Sequence, residues 1–484
     1  MKEILNFING EFISTGVTFN KYSPINNSII AKVHAAGKEE VDAAVEAAKA
    51  AMKGIWANFT ISKRIELLYA VADKIIKRFD EFLHAECADT GKPYQLASTF
   101  DIPYSAANFK TFADIVKITP TECFETPTPD GRGAINYSIR RPVGVIGVVC
   151  PWNLPLLLLS WKVGPALACG NTVIVKPSEI TPQTATLLGE IMNEVGMPKG
   201  VYNVVHGSGC NSAGEFVTNH PDIDAITFVG GPQTGSTIMK AAANGVKSVS
   251  MEMGGKNPSI IFSDCDFLAA IEGTMRSIYI NCGQVCLCTE RIYVERPIYD
   301  QFVKAMKEKT EALKIGVPEN DITDMGPLVS LEHQQKVLSY YQKAKDLGAT
   351  VVTGGGIPQM PGKLADGAWI EPTLWTGLDD HSVIAREEIF GPCALIQPFD
   401  TEEEVINRAN DTKYGLACSL WTKDLQKAHR VSTQINAGMI WVNSWFLRDF
   451  RTPFGGSKES GIGREGGIHS LDFYTELRNI CIKL

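Results

Sequence analysis

Three cysteines crowd one short stretch, Asn281-Cys282-Gly283-Gln284-Val285-Cys286-Leu287-Cys288. A thiol there can be a covalent nucleophile, a metal ligand or inert core filling. No metal is expected, because neither a second C-x-x-C nor a neighbouring H-x-E or H-x3-H pattern supplies the missing ligands. Nucleophilic use needs a base, and with no histidine within about forty residues a Cys-His hydrolase relay has no local support. A carboxylate is the better base. Glu252, in Glu252-Met253-Gly254-Gly255-Lys256, sits beside paired glycines that let the backbone turn sharply and carry the side chain into a cleft, although a solvated glutamate is the plainer reading. In Pro151-Trp152-Asn153-Leu154-Pro155 two prolines hold the backbone, so the Asn153 amide can donate to a developing oxyanion; it can equally cap a helix. Spacing alone does not choose among Cys282, Cys286 and Cys288.

Other motifs point to a nucleotide. Lys176-Pro177-Ser178-Glu179 follows an apolar run, and a cation with a carboxylate suits the two hydroxyls of a ribose. The carboxylate repels a 2′-phosphate, which favours NAD over NADP, although the same residues also make a surface turn. Gly207-Ser208-Gly209 begins like G-x-G-x-x-G, but position 212 is serine. Gly230-Gly231-Pro232-Gln233-Thr234-Gly235, between an apolar run and a helical pattern, is a better place for backbone N–H groups to meet a pyrophosphate.

These residues need elements to hold them. Apolar runs at 143–149, 171–176, 201–205 and 225–229 predict strands, and residues 156–168, 184–195 and 213–218 predict the helices between them. Such alternation is the mark of parallel βαβ units, hence a doubly wound α/β domain. Helical periodicity at 38–52 and 63–83 precedes it. Strands at 260–262, 291–295, 349–353, 394–399 and 438–443, with a helix at 401–409, predict a second α/β domain, and a Gly-rich loop over 455–467 leads to a terminal strand at 479–483. Residues 142–161 carry no charge over about 20 positions, the length of a membrane span. Prolines 142, 151 and 155 with Asn153 argue instead for a buried strand, a loop and a helix start.

Composition agrees. The chain of 484 residues has room for about three domains, and 44% hydrophobic with 21% charged residues describes an ordinary globular protein. Its 46 basic against 54 acidic residues, net −8, argue against nucleic-acid or anionic-membrane partners. Twelve scattered cysteines and a charged N-terminus predict free thiols in the reducing cytoplasm.

Taken together and in this order, with Glu387-Glu388-Ile389-Phe390-Gly391-Pro392 and Pro453-Phe454-Gly455-Gly456, the motifs resemble the aldehyde dehydrogenase superfamily over essentially the whole chain. The resemblance implies an NAD-dependent, hydrolytic oxidation of an aldehyde to a carboxylic acid through a cysteine thiohemiacetal and thioester. It implies Cys286 as nucleophile, Glu252 as general base, and Asn153 with the Cys286 N–H as oxyanion hole. Cofactor-binding residues implied are Trp152, Lys176, Glu179, Gly230, Gly231, Gly235, Glu388 and Phe390; position 231 is usually serine in the family. Also implied is a Rossmann-type NAD-binding domain (1–118 and 141–252), an α/β catalytic domain (253–454) and a small β oligomerisation element (119–140 and 455–484) giving a homodimer or homotetramer. A non-catalytic, crystallin-like binding protein is the reading from another class.

Within the superfamily, residues 445–456 and 461–476 resemble the 2-aminomuconate and 2-hydroxymuconate semialdehyde dehydrogenases, in which an arginine matching Arg448 helps hold a substrate carboxylate. Arg448 can instead pair with Asp449 or Asp101. Those relatives usually carry a second arginine after D-I-P, where this chain has Tyr104. The substrate is therefore expected to be a muconic-type semialdehyde held by Arg448. The alternative is a broader range of apolar, aromatic or retinal-like unsaturated aldehydes along Leu154, Leu157, Trp161, Tyr104 and Trp445.

Overall fold

A computed structural model describes residues 2–484. Two large sheets dominate. The first has eight strands in the order Gly461–Ile462, Ser248–Glu252, Ala225–Val229, Val145–Val149, Thr172–Lys176, Tyr202–Val204, Asn6–Ile8 and Glu11–Ile13. Its middle five are parallel, and antiparallel strands close both edges. The chain enters at Val145–Val149, winds outward through Thr172–Lys176 and Tyr202–Val204, then returns to the other side with Ala225–Val229. This reversal creates a crevice at the carboxyl ends of Val145–Val149 and Ala225–Val229, where open α/β sheets bind ligands.

The second sheet has seven strands: Thr350–Thr353, Thr373–Thr376, Cys393–Phe399, Thr289–Glu295, Asn257–Ile261, Ala417–Trp421 and Met439–Val442. All neighbours are parallel except at the Thr350–Thr353 edge. Four residues, 253–256, join the Glu252 strand of the first sheet to the Asn257 strand of the second. Carboxyl ends of one sheet therefore face amino ends of the other, and the motif residues cluster at that seam.

The uncharged stretch forms the end of strand Ala134–Pro142, strand Val145–Val149 and the start of helix Pro155–Ala168. That helix is apolar nearly all round, and every one of its residues is buried. Among the described residues no helix is long and apolar enough to cross a membrane. The predicted helix over 63–83 is two, Ile61–Lys77 and Phe79–Thr90, broken where Arg78 leaves helical angles at φ −102° and ψ 32°. Its guanidinium there reaches Glu81, Glu190 and Glu194.

The tail is divided. Gly461–Ile462 pairs with the Glu252 strand, helix Gly467–Tyr474 packs on helices Ile102–Ile118 and Pro155–Ala168, and Thr475–Lys483 adds to the hairpin of Cys123–Thr126 and Ala134–Pro142. The strand Cys123–Thr126 is exposed throughout.

Candidate active site

At the seam lies a cavity of about 280 Å³ lined by Trp152, Asn153, Gly230, Gly231, Glu252, Cys286, Glu388 and Phe390, together with His333 and Lys336. Eight of the residues predicted from motifs therefore meet in one place, although they come from strand ends and loops up to 238 positions apart in numbering, Trp152 to Phe390. His333 and Lys336, from helix Leu331–Asp346, carry no motif and were not anticipated.

The cysteine loop is held by its carbonyls. Asn257 Nδ2 donates to the Cys286 and Cys288 carbonyls at 2.7 and 2.9 Å, and Trp445 Nε1 donates to that of Leu287 at 3.1 Å. Asn281, Cys282 and Gly283 all take left-handed angles, a sequence of backbone states that two non-glycine residues adopt only under tertiary constraint. Among the three thiols Cys282 and Cys288 are buried, Cys282 donating to the Gly326 carbonyl, whereas Cys286 is partly exposed and faces the cavity. No other main-chain group among the described residues accepts from the Cys286 N–H, which faces its own thiol. Burial first, then the charges of Glu252 and Glu388, pushes the Cys286 thiol up to about 12.

Glu252 ends its strand inside the cavity. Both carboxylate oxygens are buried without a hydrogen-bond partner, and burial with the neighbouring Glu465 raises its carboxyl well above the usual range. An orphan carboxylate in a native core calls for a function. Its room comes from Gly455, in P-F-G-G, where an added Cβ would lie 2.7 Å from Glu252 Oε1. Asn153 Nδ2 donates one hydrogen to the Gln284 carbonyl at 2.9 Å, leaving the other free.

The opposite wall is the Glu388–Phe390 loop. Glu290, paired with Lys256, accepts from the Ile389 and Phe390 N–H groups at 3.0 and 2.9 Å, and Phe390 is held at φ +62°. Glu388 accepts from Gly255 N–H at 2.9 Å; any side chain at residue 254 would collide with this carboxylate, which accounts for the glycine. Burial and Glu290 push Glu388 up to about 7. The His333 Nε2 lies 2.7 Å from the Phe390 carbonyl, so this nitrogen carries the proton, and burial pulls the ring down to about 4.

At the crevice, helix Pro232–Ala243 begins with Gly231 as its cap, with no side-chain hydrogen bond, so its first N–H groups are left for a ligand. A Cβ at residue 231 would meet nothing, so space does not explain why serine is missing. Gly235 is buried in the helix's first turns, where a side chain would overlap Met253. Lys176 and Glu179 lie outside the cavity, paired at 2.8 Å at the next strand's end.

The predicted substrate residues form a second group. The Arg448 guanidinium lies 3.9 Å from the Trp161 ring centre, 4.3 Å from that of Phe454 and 5.4 Å from that of Phe450. Its Nη2 is shut off from solvent without a partner, and burial pulls the group down to about 10. Neither of the alternative ion pairs forms: Asp101 binds Lys92, and Asp449 binds Arg451, a next-but-one neighbour of better reach. Tyr104 is partly exposed and packs against Phe100 and Phe450. Phe100, Phe446 and Phe450 extend this aromatic wall; Phe446 and Phe450 lie within the 445–456 stretch but are not among the predicted substrate residues, and Phe100 carries no motif. Leu154, Leu157, Trp161 and Trp445 are buried, and Trp445 turns its N–H to the cysteine loop.

Residues 12–480 match the model described as "Aldehyde dehydrogenase family". A 2-hydroxymuconic semialdehyde dehydrogenase of a Pseudomonas species is 63% identical over 486 residues, covering 100% of both chains. A 2-aminomuconic 6-semialdehyde dehydrogenase, also from Pseudomonas, is 55% identical and covers 100% of this chain and 99% of its own. An NAD+ complex of aldehyde dehydrogenase from Bacillus cereus superposes with a TM-score of 0.96 at 40% identity, covering 100% of this chain and 97% of that one.

Proposed function

The chain belongs to the aldehyde dehydrogenase family and is an enzyme, and on that premise we propose that it oxidises a muconic-type semialdehyde to the acid, with NAD, through a thioester on Cys286. One observation carries the reading of the site: an unpartnered buried carboxylate, Glu252, shares a cavity with the partly exposed thiol of the Cys286 loop. The pocket suits the cofactor, with free N–H groups at the Pro232 helix start for a pyrophosphate and the Lys176–Glu179 pair for a ribose. Bound NAD would supply the hydride acceptor and a cationic ring.

The chain's own residues do the rest. Cys286 gives its proton to Glu252, and Sγ adds to the aldehyde carbon. The resulting oxyanion takes hydrogen bonds from the free Asn153 Nδ2–H and the Cys286 N–H, both available. Departure of hydride from that carbon leaves a thioester. Glu252 passes the thiol's proton to solvent and then takes one from water, whose oxygen attacks the thioester carbon; collapse expels the Cys286 thiolate, which regains that proton from Glu252, and releases the acid.

Arg448 supports the substrate class. A cation already desolvated over two rings, with one N–H set unused, is a prepared receptor for a carboxylate. The aromatic wall of Phe100, Tyr104, Phe446 and Phe450 favours a second reading, in which uncharged aromatic or unsaturated aldehydes are also accepted. For assembly, the exposed edge strand Cys123–Thr126 with Thr475–Lys483 supports pairing between subunits, and twelve free thiols suit a reducing compartment.

The test is NADH formation after mixing enzyme, NAD and aldehyde. Cys286→Ala is expected to abolish it, whereas Cys282→Ala and Cys288→Ala keep it; the reverse pattern overturns the nucleophile. Glu252→Gln should accumulate the acyl-enzyme, seen as added mass on the intact protein, and an unmodified mass with full turnover rejects the base.

A further inference from the structure

Behind the cavity lies a buried group of charges that the reaction above does not use. Lys92, in the loop after helix Phe79–Thr90, has no side-chain exposure, and neither have Glu86 and Asp101. Its Nζ donates to Asp101 Oδ2 at 2.6 Å, to Glu86 Oε1 at 3.3 Å and to the main-chain carbonyl of Asn153 at 3.1 Å. The other Glu86 oxygen accepts from Leu156 N–H at 3.3 Å, at the start of the helix that follows Asn153.

A stability role explains this poorly. Buried ion pairs repay their desolvation only with good geometry, and apolar residues of similar volume often do as well or better. What the cluster does provide is a donor where the backbone has none. Asn153 lies between two prolines, which lack N–H groups, and precedes the first helical turn, so its carbonyl gains no partner from secondary structure. Two side chains satisfy it: Lys92 from one side and Asn281 Nδ2, at 3.0 Å, from the cysteine loop on the other.

We propose that Lys92 is a positioning residue for oxyanion stabilisation: its buried ammonium clamps the Asn153 carbonyl so that the Asn153 side-chain amide stays aimed above Cys286. The inference rests on the reading of Asn153 as an oxyanion donor. A misplacement of about 1 Å in such a site costs around 10²-fold in rate, the same order as losing a donor outright.

The experiment is a double-mutant cycle on the full chain, read as the single-turnover rate of NADH formation with saturating NAD. Lys92→Met is expected to slow it by about 10- to 10²-fold while the NAD dissociation constant, from protein fluorescence, stays within about twofold. In an Asn153→Ala background the same change should cost less than about twofold, because the residue acts through a side chain no longer there. An equal loss in both backgrounds overturns the proposal. If Asn153→Ala alone leaves the rate unchanged, the oxyanion reading itself fails, and the clamp with it. Should Lys92→Met not fold, Lys92→Arg keeps the charge both carboxylates need but shifts the donor from the carbonyl, and it is read in the same two backgrounds with the same expectation.

Discussion

Lys92 and Arg448 are both cations taken out of water near the same reacting centre, and they are treated in opposite ways. Lys92 is saturated: two carboxylates and a carbonyl surround its ammonium. Arg448 has no carboxylate in salt-bridge range among the described residues; aromatic faces cover it, and Nη2 is left idle. The difference separates two uses of buried charge. A saturated cation has nothing left to offer a ligand and can only hold the protein in place. One kept desolvated and unpaired is unfavourable until an anion arrives, so its cost is recovered on binding.

The contrast can be broken most forcefully by kinetics. Arg448→Met should lower kcat/KM for a semialdehyde carrying a carboxylate by about 10²-fold, as expected for losing a charge-assisted hydrogen bond in a desolvated site, and leave an uncharged aromatic aldehyde within about threefold. Equal effects on both substrates would return Arg448 to a packing role. Next in size is stability, where the signs should differ. Lys92→Met strands two buried carboxylates and should lower Tm by several degrees, from a loss of about 3–5 kcal/mol, whereas Arg448→Met removes an unpaired cation and should leave Tm unchanged or raise it slightly. Thermal unfolding of the two variants decides, and a matching fall would erase the distinction. The smallest effect is in pH. Burial pulls Arg448 down only towards about 10, and its guanidinium keeps its charge through the neutral and mildly alkaline range. The kcat/KM ratio of carboxylated to uncharged aldehyde should therefore stay flat from about pH 7 to about pH 9, and a fall within that range would remove the receptor.

Much of this site was legible in the chain, for a physical reason. Strand ends followed by Gly, Pro and Asn are local signals, and so the crevice residues Asn153, Gly230 and Gly231 could be placed before any fold was known. The choice of Cys286 over Cys282 and Cys288 was not local, since it depends on which thiol the left-handed turn at 281–283 exposes. Nor was His333, which an ordinary helix position brings to the cavity through tertiary packing alone, and nor was the packing of Phe100 on Tyr104 and Phe446. Charge partners were the least legible. Arg448 had two plausible acids nearby in sequence or motif, and both were claimed by better-placed bases. In the fold, helix breaks such as Arg78 went unseen because periodicity runs through them and only the side chain's distant acids mark the stop.

During synthesis, the wholly buried helix Pro155–Ala168 can pack at once on Ile61–Lys77 and Ile102–Ile118, which precede it, but not on the far later Gly467–Tyr474. Lys162, within it, pairs with Glu465, and Trp161 donates to the same carboxylate at 2.7 Å, some 303 positions later. Until Glu465 is in place, the Lys162 ammonium and the Trp161 N–H have no partner inside an otherwise apolar helix. Closure of this part of the core therefore waits on a contact of very long sequence separation, the kind that forms late in folding.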